Sequence, residues 1–301
     1  MHRPRTIARM RNWFSHLHAW LTGRMEYVQA QRPTNNFVQT GFDLLERDSR
    51  SAGGVLGGGL AYRLFFWSLA LSVLAFGGLG FAAPGDVEQA AKNTSLGGQV
   101  AKTLAEGAQA SQANRWWLLG VGIVLTIWFA WSLLRALRLV QASAWQVRGG
   151  RSFPRPLNIL TVLAVPVVFV LLSALTGVTT HFLGIFSGVV AFVLGTAVLA
   201  GLIMLGMAWL PSKPVPFWAH LPGAVVVALL VQGLGAFGEF FIADELASKQ
   251  ALYGALGLAG AMLFVLFLVG RTTVWACELN AVWWQVWHPD EASDAERITT
   301  S

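Results

Sequence analysis

The chain has 301 residues, 55% of them hydrophobic and only 12% charged, with a mean hydropathy of +0.56. Soluble domains carry about 25% charged residues, so this balance excludes an ordinary soluble protein and points to an all-α, polytopic membrane protein. The net charge is +6, but the basic residues gather in particular connections, which speaks for membrane orientation and anionic headgroups rather than nucleic acid.

Residues 3–30 read as a basic amphipathic helix. Ile7, Met10, Phe14, Leu17 and Leu21 recur at spacings of three and four and share one face. Arg3, Arg5, Arg9, Arg11 and Arg24 supply its charge. Such a helix either lies in the headgroup plane or packs on the protein's own cytoplasmic side. No apolar run with a small-residue cleavage site follows the basic start, so the first span itself is expected to drive insertion. Pro33 ends this helix. Thr34 and Asn35 are candidate N-caps for a short surface helix, Asn36–Asp48, with Phe37, Leu44 and Leu45 as its apolar contacts.

Glu46–Phe81 then turns from charged to apolar and is long enough to cross a bilayer, which takes roughly 20 apolar residues. Arg63, beside Tyr62, interrupts the apolar run. A charge at membrane depth costs at least ~2.5–3.5 kcal/mol, so it is usually paired or functional. Six spans are expected, at about 54–82, 116–137, 157–178, 183–210, 219–242 and 252–276, the last extending toward Trp287. Pro166 is expected to kink the third. Gly53/Gly57, Gly54/Gly58, Gly257/Ala261 and Ala255/Ala259 are small-residue pairs at helix-packing spacing. Val87, Ala91, Leu96, Val100 and Leu104 suggest short amphipathic helices in the connection 84–114.

The expected organisation is 1–52 as cytoplasmic basic amphipathic helices, 53–287 as a six-helix transmembrane domain and 288–301 as a polar cytoplasmic tail. Basic residues concentrate before span 1 and between spans 2 and 3, where Arg138, Arg148, Arg151 and Arg155 lie; the opposite connections hold few. Positive residues favour the cytoplasm, so both termini are expected inside.

Few groups at membrane depth carry chemistry. They are Arg63 on span 1, Gln232 and Glu239 on span 5, and Arg271 and Glu278 on span 6. Arg271, Trp275 and Glu278 share a helical face, as do Gln232, Gly235 and Glu239. Arg63 is expected to pair with Glu278 if spans 1 and 6 are neighbours. Tyr62, Arg63, Arg271, Glu278, Glu239 and Gln232 are therefore the candidate substrate-binding residues. They either line a polar cavity for an anionic group or form ion pairs that fix helix register. Glu239, near the outer edge, fits a solvated or structural role better.

The sequence has no GxxxxGK[ST] phosphate loop, HExxH or GxSxG motif, and no His/Asp cluster with metal-ligand spacing. No catalytic residue, metal or cofactor is expected, and the protein is not expected to be an enzyme. The single cysteine, Cys277, excludes an intramolecular disulfide and is expected as a small buried apolar residue.

Four segments carry a family resemblance. They are FDLLERDSR leading into GGGLAYRLFFWSL (Phe42–Leu69), LPGAVVVALL (Leu221–Leu230), ALYGALG (Ala251–Gly257) and CELNAV (Cys277–Val282). In order and spacing they resemble the YihY/BrkB family of bacterial inner-membrane proteins, over about residues 35–285. The resemblance implies six membrane helices with both termini in the cytoplasm. The family usually has a proline after the Ala-Tyr pair; the run Phe66–Leu71 has none, which implies a straighter first helix. Relatives have been labelled ribonuclease BN, virulence factor and transporter. A metal-dependent nuclease needs clustered His and Asp ligands, which this sequence lacks. The expected function is transport or translocation of a lipid or small anionic solute across the bacterial inner membrane. The alternative is a non-transporting scaffold that binds partners. Expected partners are membrane lipids and an anionic lipid or solute ligand, with self-association open and no nucleic acid.

Overall fold

The computed structural model describes residues 35–81, 106–147, 160, 162–168, 171, 185–210, 215–237 and 243–291. Among these residues there is no strand. The long helices are numbered here in chain order: α1 (Asn36–Arg50), α2 (Gly53–Leu79), α3 (Arg115–Ala144), α4 (Ile185–Ala208), α5 (Leu221–Phe237) and α6 (Ala243–Trp287). Short 3-10 turns precede α3 (Gln112–Asn114) and α5 (Phe217–His220).

Helix α1 starts where its cap dictates. Asn35 is extended, and its Oδ1 accepts from the backbone N–H of Phe37 at 2.9 Å and of Val38 at 3.4 Å. The expected apolar contacts hold in part: Phe37 meets Trp287 of α6 edge-on at 5.0 Å and Leu44 is half-buried, whereas Leu45 is 63% exposed and the buried residue of α1 is Thr40. The polar last turn also faces the bundle. Ala52 follows in a left-handed conformation (φ 53°), unusual for a residue with a side chain, and turns the chain sharply into α2.

Among the described residues, four helices are long and apolar enough to cross a membrane: Gly53–Leu79, Glu106–Ala144, Phe217–Gly235 and Ala259–Trp287. Phe192–Ala208, within α4, is a shorter apolar helix. The four long helices correspond to expected spans 1, 2, 5 and 6. Span 4 is helical over Ile185–Ala208, and span 3 lies mostly outside the described residues. So do the basic helix 3–30, most of the connection 84–114 and the end of the tail. Helix α2 runs without interruption through the run that lacks the family's proline.

Helix α2 packs along α3 on one side and α6 on the other; α6 also contacts α1 and α5, and α5 contacts α4. The core contains Leu60, Trp67, Ala130, Leu133, Val274, Ala276 and Trp284. Outward positions stay apolar: Val55 is 76% exposed and Trp128 70%. In lipid, burying such side chains supplies little drive, so association rests on close backbone approach at small residues. The structure shows where this happens. A Cβ on Gly77 would lie 2.7 Å from the Leu119 backbone N, and one on Gly122 would lie 2.7 Å from the Leu74 Cα. On the other side, a Cβ on Gly270 would lie 2.7 Å from the Gly57 carbonyl oxygen. Of the expected small-residue pairs, Gly53/Gly57 faces α6, whereas Gly54 and Gly58 face open space.

Candidate functional site: a buried polar lattice at one end of the bundle

The last turn of α1, the start of α2, the end of α3, the start of α5 and the end of α6 meet at one end of the bundle. Three ties between α1, the corner after it and α6 build the site. Asp48 pairs with Arg271 (Oδ2 to Nη2, 2.5 Å), with side chains only 15% and 20% exposed. Ser51 donates its hydroxyl to Glu278 Oε1 at 2.6 Å. Arg47 Nη2 donates to Gln285 Oε1 at 3.1 Å. Arg271, Glu278 and Gln285 recur every seven residues, so they form one stripe down α6.

Glycine makes the first tie sterically feasible. A Cβ on Gly53 would lie 2.0 Å from Asp48 Oδ1 and 2.6 Å from Arg271 Nη1. One on Gly57 would lie 3.1 Å from the Arg271 Cα. The Arg271 guanidinium also lies over the Trp275 ring, 4.8 Å from its centroid.

A second clasp lies between α5 and α6. The Gly223 N–H donates to Asn280 Oδ1 at 2.7 Å, and Asn280 Nδ2 donates to Met207 Sδ at 3.4 Å. Asn280 is fully buried. A Cβ on Gly223 would sit 2.2 Å from the Ala276 carbonyl oxygen, so the helices touch backbone to backbone. An aromatic collar surrounds this end: Trp145 meets His220 edge-on at 5.5 Å, and Trp284 stacks on His288 at 4.4 Å.

Several buried polar atoms have no protein partner among the described residues. They include Arg47 Nη1, Asp48 Oδ1, Arg271 Nη1, Glu278 Oε2 and both amide atoms of Gln141. An unsatisfied buried polar group costs about 1–3 kcal/mol, so these atoms favour any polar partner that can reach them. Arg47 shows the electrostatic strain. Burial pulls its guanidinium below the ordinary arginine value, while Glu278 and Asp43 pull it back up and Arg50 lowers it further.

Beside the lattice opens a cavity of about 390 Å³. Helix α1 lines it with Asp43, Glu46, Arg47 and Arg50, and the corner adds Ser51. Ser143 and Gln146 line it from the end of α3, and Val282 and Gln285 from α6. Arg50 and Glu46 pair across its mouth at 2.5 Å.

The six residues singled out from the sequence separate. Arg271 and Glu278 sit in the lattice. Arg63 does not pair with Glu278, which corrects the expectation: its Nη1 donates to the Ser132 carbonyl of α3 at 3.2 Å. The reason is register. The antiparallel crossing sets Ser51 against Glu278, and Arg63 lies twelve residues further along, roughly 18 Å at 1.5 Å per residue. No arginine side chain reaches that far. Tyr62 is 61% exposed and meets Phe66 edge-on at 4.8 Å. Gln232 is half-buried, far along α5 from the lattice. Glu239 lies outside the described residues. Cys277 is buried as expected, at 2% exposure.

The sequence reading missed Arg47, Asp48, Ser51, Gln285 and Asn280. Arg47, Asp48 and Ser51 precede the first span and read as a polar surface segment; Asn280 and Gln285 follow the expected core of the last. The signal was present in the resemblance itself. ERDSR contacts the end of α6, and LPGAV clasps CELNAV, so the segments that carry the resemblance meet in space.

Long apolar helices, joined by glycine crossings and closed at one end by a buried charged lattice, define a polytopic helical membrane protein. The family model described as virulence factor BrkB matches residues 45–298. The chain belongs to this family, called YihY/BrkB above. Neither the curated proteins nor the solved structures compared with it contain a match.

Proposed function

We propose that this protein moves a lipid or small polar solute across the bacterial inner membrane, with the polar lattice and its cavity as the inner mouth of the route. In this reading six helices span the bilayer, both termini are cytoplasmic, and α1 lies at the cytoplasmic headgroup level. The distribution of arginines supports that orientation. One observation carries the functional reading: polar and charged side chains are buried at the end of an apolar bundle, several of their atoms without a partner among the described residues, directly beside a cavity. Ionisable groups placed so in a membrane protein generally mark a substrate or ion path. Arg47, Ser51 and Gln285 supply the first polar contacts. Arg271 and Glu278 hold the helices around them.

A second reading has its own observation. Asp48–Arg271, Ser51–Glu278 and Arg50–Glu46 satisfy one another, as an internal clasp in a non-transporting scaffold would. Vesicles reconstituted with the full chain separate the two. Transfer of fluorescent lipids or labelled solutes above protein-free vesicles supports transport. No transfer of any, with a stoichiometric protein partner retained through purification, supports the scaffold.

A further inference from the structure

The cavity's lining is balanced in charge. Asp43 and Glu46 contribute two negative groups, Arg47 and Arg50 two positive ones, all from successive turns of α1. The remaining polar lining is neutral and can both donate and accept: Ser51, Ser143, Gln146 and Gln285. A site for a simple anion would show an excess of donors and positive charge. A site for a simple cation would show the reverse. This lining offers both signs within one cavity of about 390 Å³, with Arg47 Nη1 left unsatisfied beside it.

We propose that the cavity binds a zwitterionic group, an ammonium joined by a short linker to a phosphate or carboxylate. The ammonium meets the Asp43 and Glu46 carboxylates. The acidic group meets Arg47 and the Gln285 side-chain amide N–H, and Ser51, whose one hydroxyl hydrogen goes to Glu278, accepts from the ammonium. The Arg50–Glu46 pair sits at the mouth, where its members are 75% and 47% exposed, and can exchange partners with an entering ligand at little cost. This inference refines the transport reading and rests on it for the view that the bound group is cargo. It departs from the anionic ligand that the sequence suggests. The same chemistry comes from two sources, a phospholipid headgroup or a free zwitterion in the cytoplasm.

The test is isothermal titration of the full chain in detergent with glycerophosphoethanolamine, glycerol phosphate and ethanolamine. The expected result is that glycerophosphoethanolamine binds at least about tenfold tighter than either single-charge probe. Arg50→Glu should shift preference toward ethanolamine, and Glu46→Arg toward glycerol phosphate. The combined variant should restore preference for the zwitterion. Both positions are exposed, so these variants fold. Equal binding of the three probes, binding of none, or a preference unmoved by either charge reversal overturns the proposal. A second arm compares nanodiscs of phosphatidylethanolamine with nanodiscs of phosphatidylglycerol. Glycerophosphoethanolamine weakened only in the former identifies the headgroup as the source; equal binding in both identifies a free zwitterion. Either outcome upholds the zwitterionic site. Selective binding without any transfer in vesicles would remove the transport reading and leave this site standing. Transfer without selectivity would do the opposite.

Discussion

Asp48, Trp275 and the backbone of Gly57 enclose Arg271 on three sides, so this arginine is fixed rather than free to follow a substrate. Removing Asp48 leaves its guanidinium mostly buried and unpaired. Asp48→Ala should therefore cost about 3 kcal/mol of stability, read as thermal unfolding in detergent. Arg271→Ala should cost a similar amount, and the double variant should show coupling of about 1 kcal/mol or more. Strict additivity would mean the pair is incidental. Arg63 behaves differently, because among the described residues it is tied to the Ser132 carbonyl and it lies away from the lattice. Arg63→Gln should keep the transfer rate close to that of the unaltered protein in vesicles; a large loss would return Arg63 to the route. The sequence singled out Arg63 and Arg271 on the same ground, charge within an apolar run. It does not encode the helix register in any local pattern, and register separates their roles. Arg47 and Asp48 look like solvated charges until α6 is seen lying against them.

At the scale of elements, glycine decides how closely helices approach. Gly57 and Gly223 each face backbone of α6, whereas Gly54 faces open space. Gly57→Val and Gly223→Ala should each destabilise the bundle by about 1–3 kcal/mol, because the backbone they meet cannot yield. Gly54→Ala should change stability by no more than about 0.5 kcal/mol. Differential scanning fluorimetry on the three purified variants checks this contrast, and equal effects would contradict the crossing geometry. The sequence pattern of small residues four apart was right for Gly53/Gly57 and silent on Gly77, Gly122, Gly223 and Gly270, which act singly or pair across helices. Helix α1 was legible from its Asn35 cap, yet its packing face was legible only in part. A polar face buried against another polar stripe leaves no hydrophobic periodicity to read.

For the whole molecule, apolar length and composition disclose the membrane class and four of the spans directly. The proposed topology rests on the arginine bias, and the single buried cysteine makes it testable. In a Cys277→Ala background, Ser95→Cys should label with an impermeant maleimide in intact spheroplasts. Ser293→Cys should label only after permeabilisation; the reverse pattern would invert the protein. In the transport reading, the cavity at the α1 end is the mouth of the route. This reading is tested most directly by the rate at which fluorescent phosphatidylethanolamine crosses the bilayer of vesicles holding the full chain. The unaltered protein should speed transfer over protein-free vesicles. Arg47→Gln and Ser51→Ala, which each remove a contact worth about 1.5 kcal/mol, should slow it about tenfold. No acceleration by the unaltered protein of either this lipid or labelled glycerophosphoethanolamine, or rates unchanged in both variants, would contradict the transport reading.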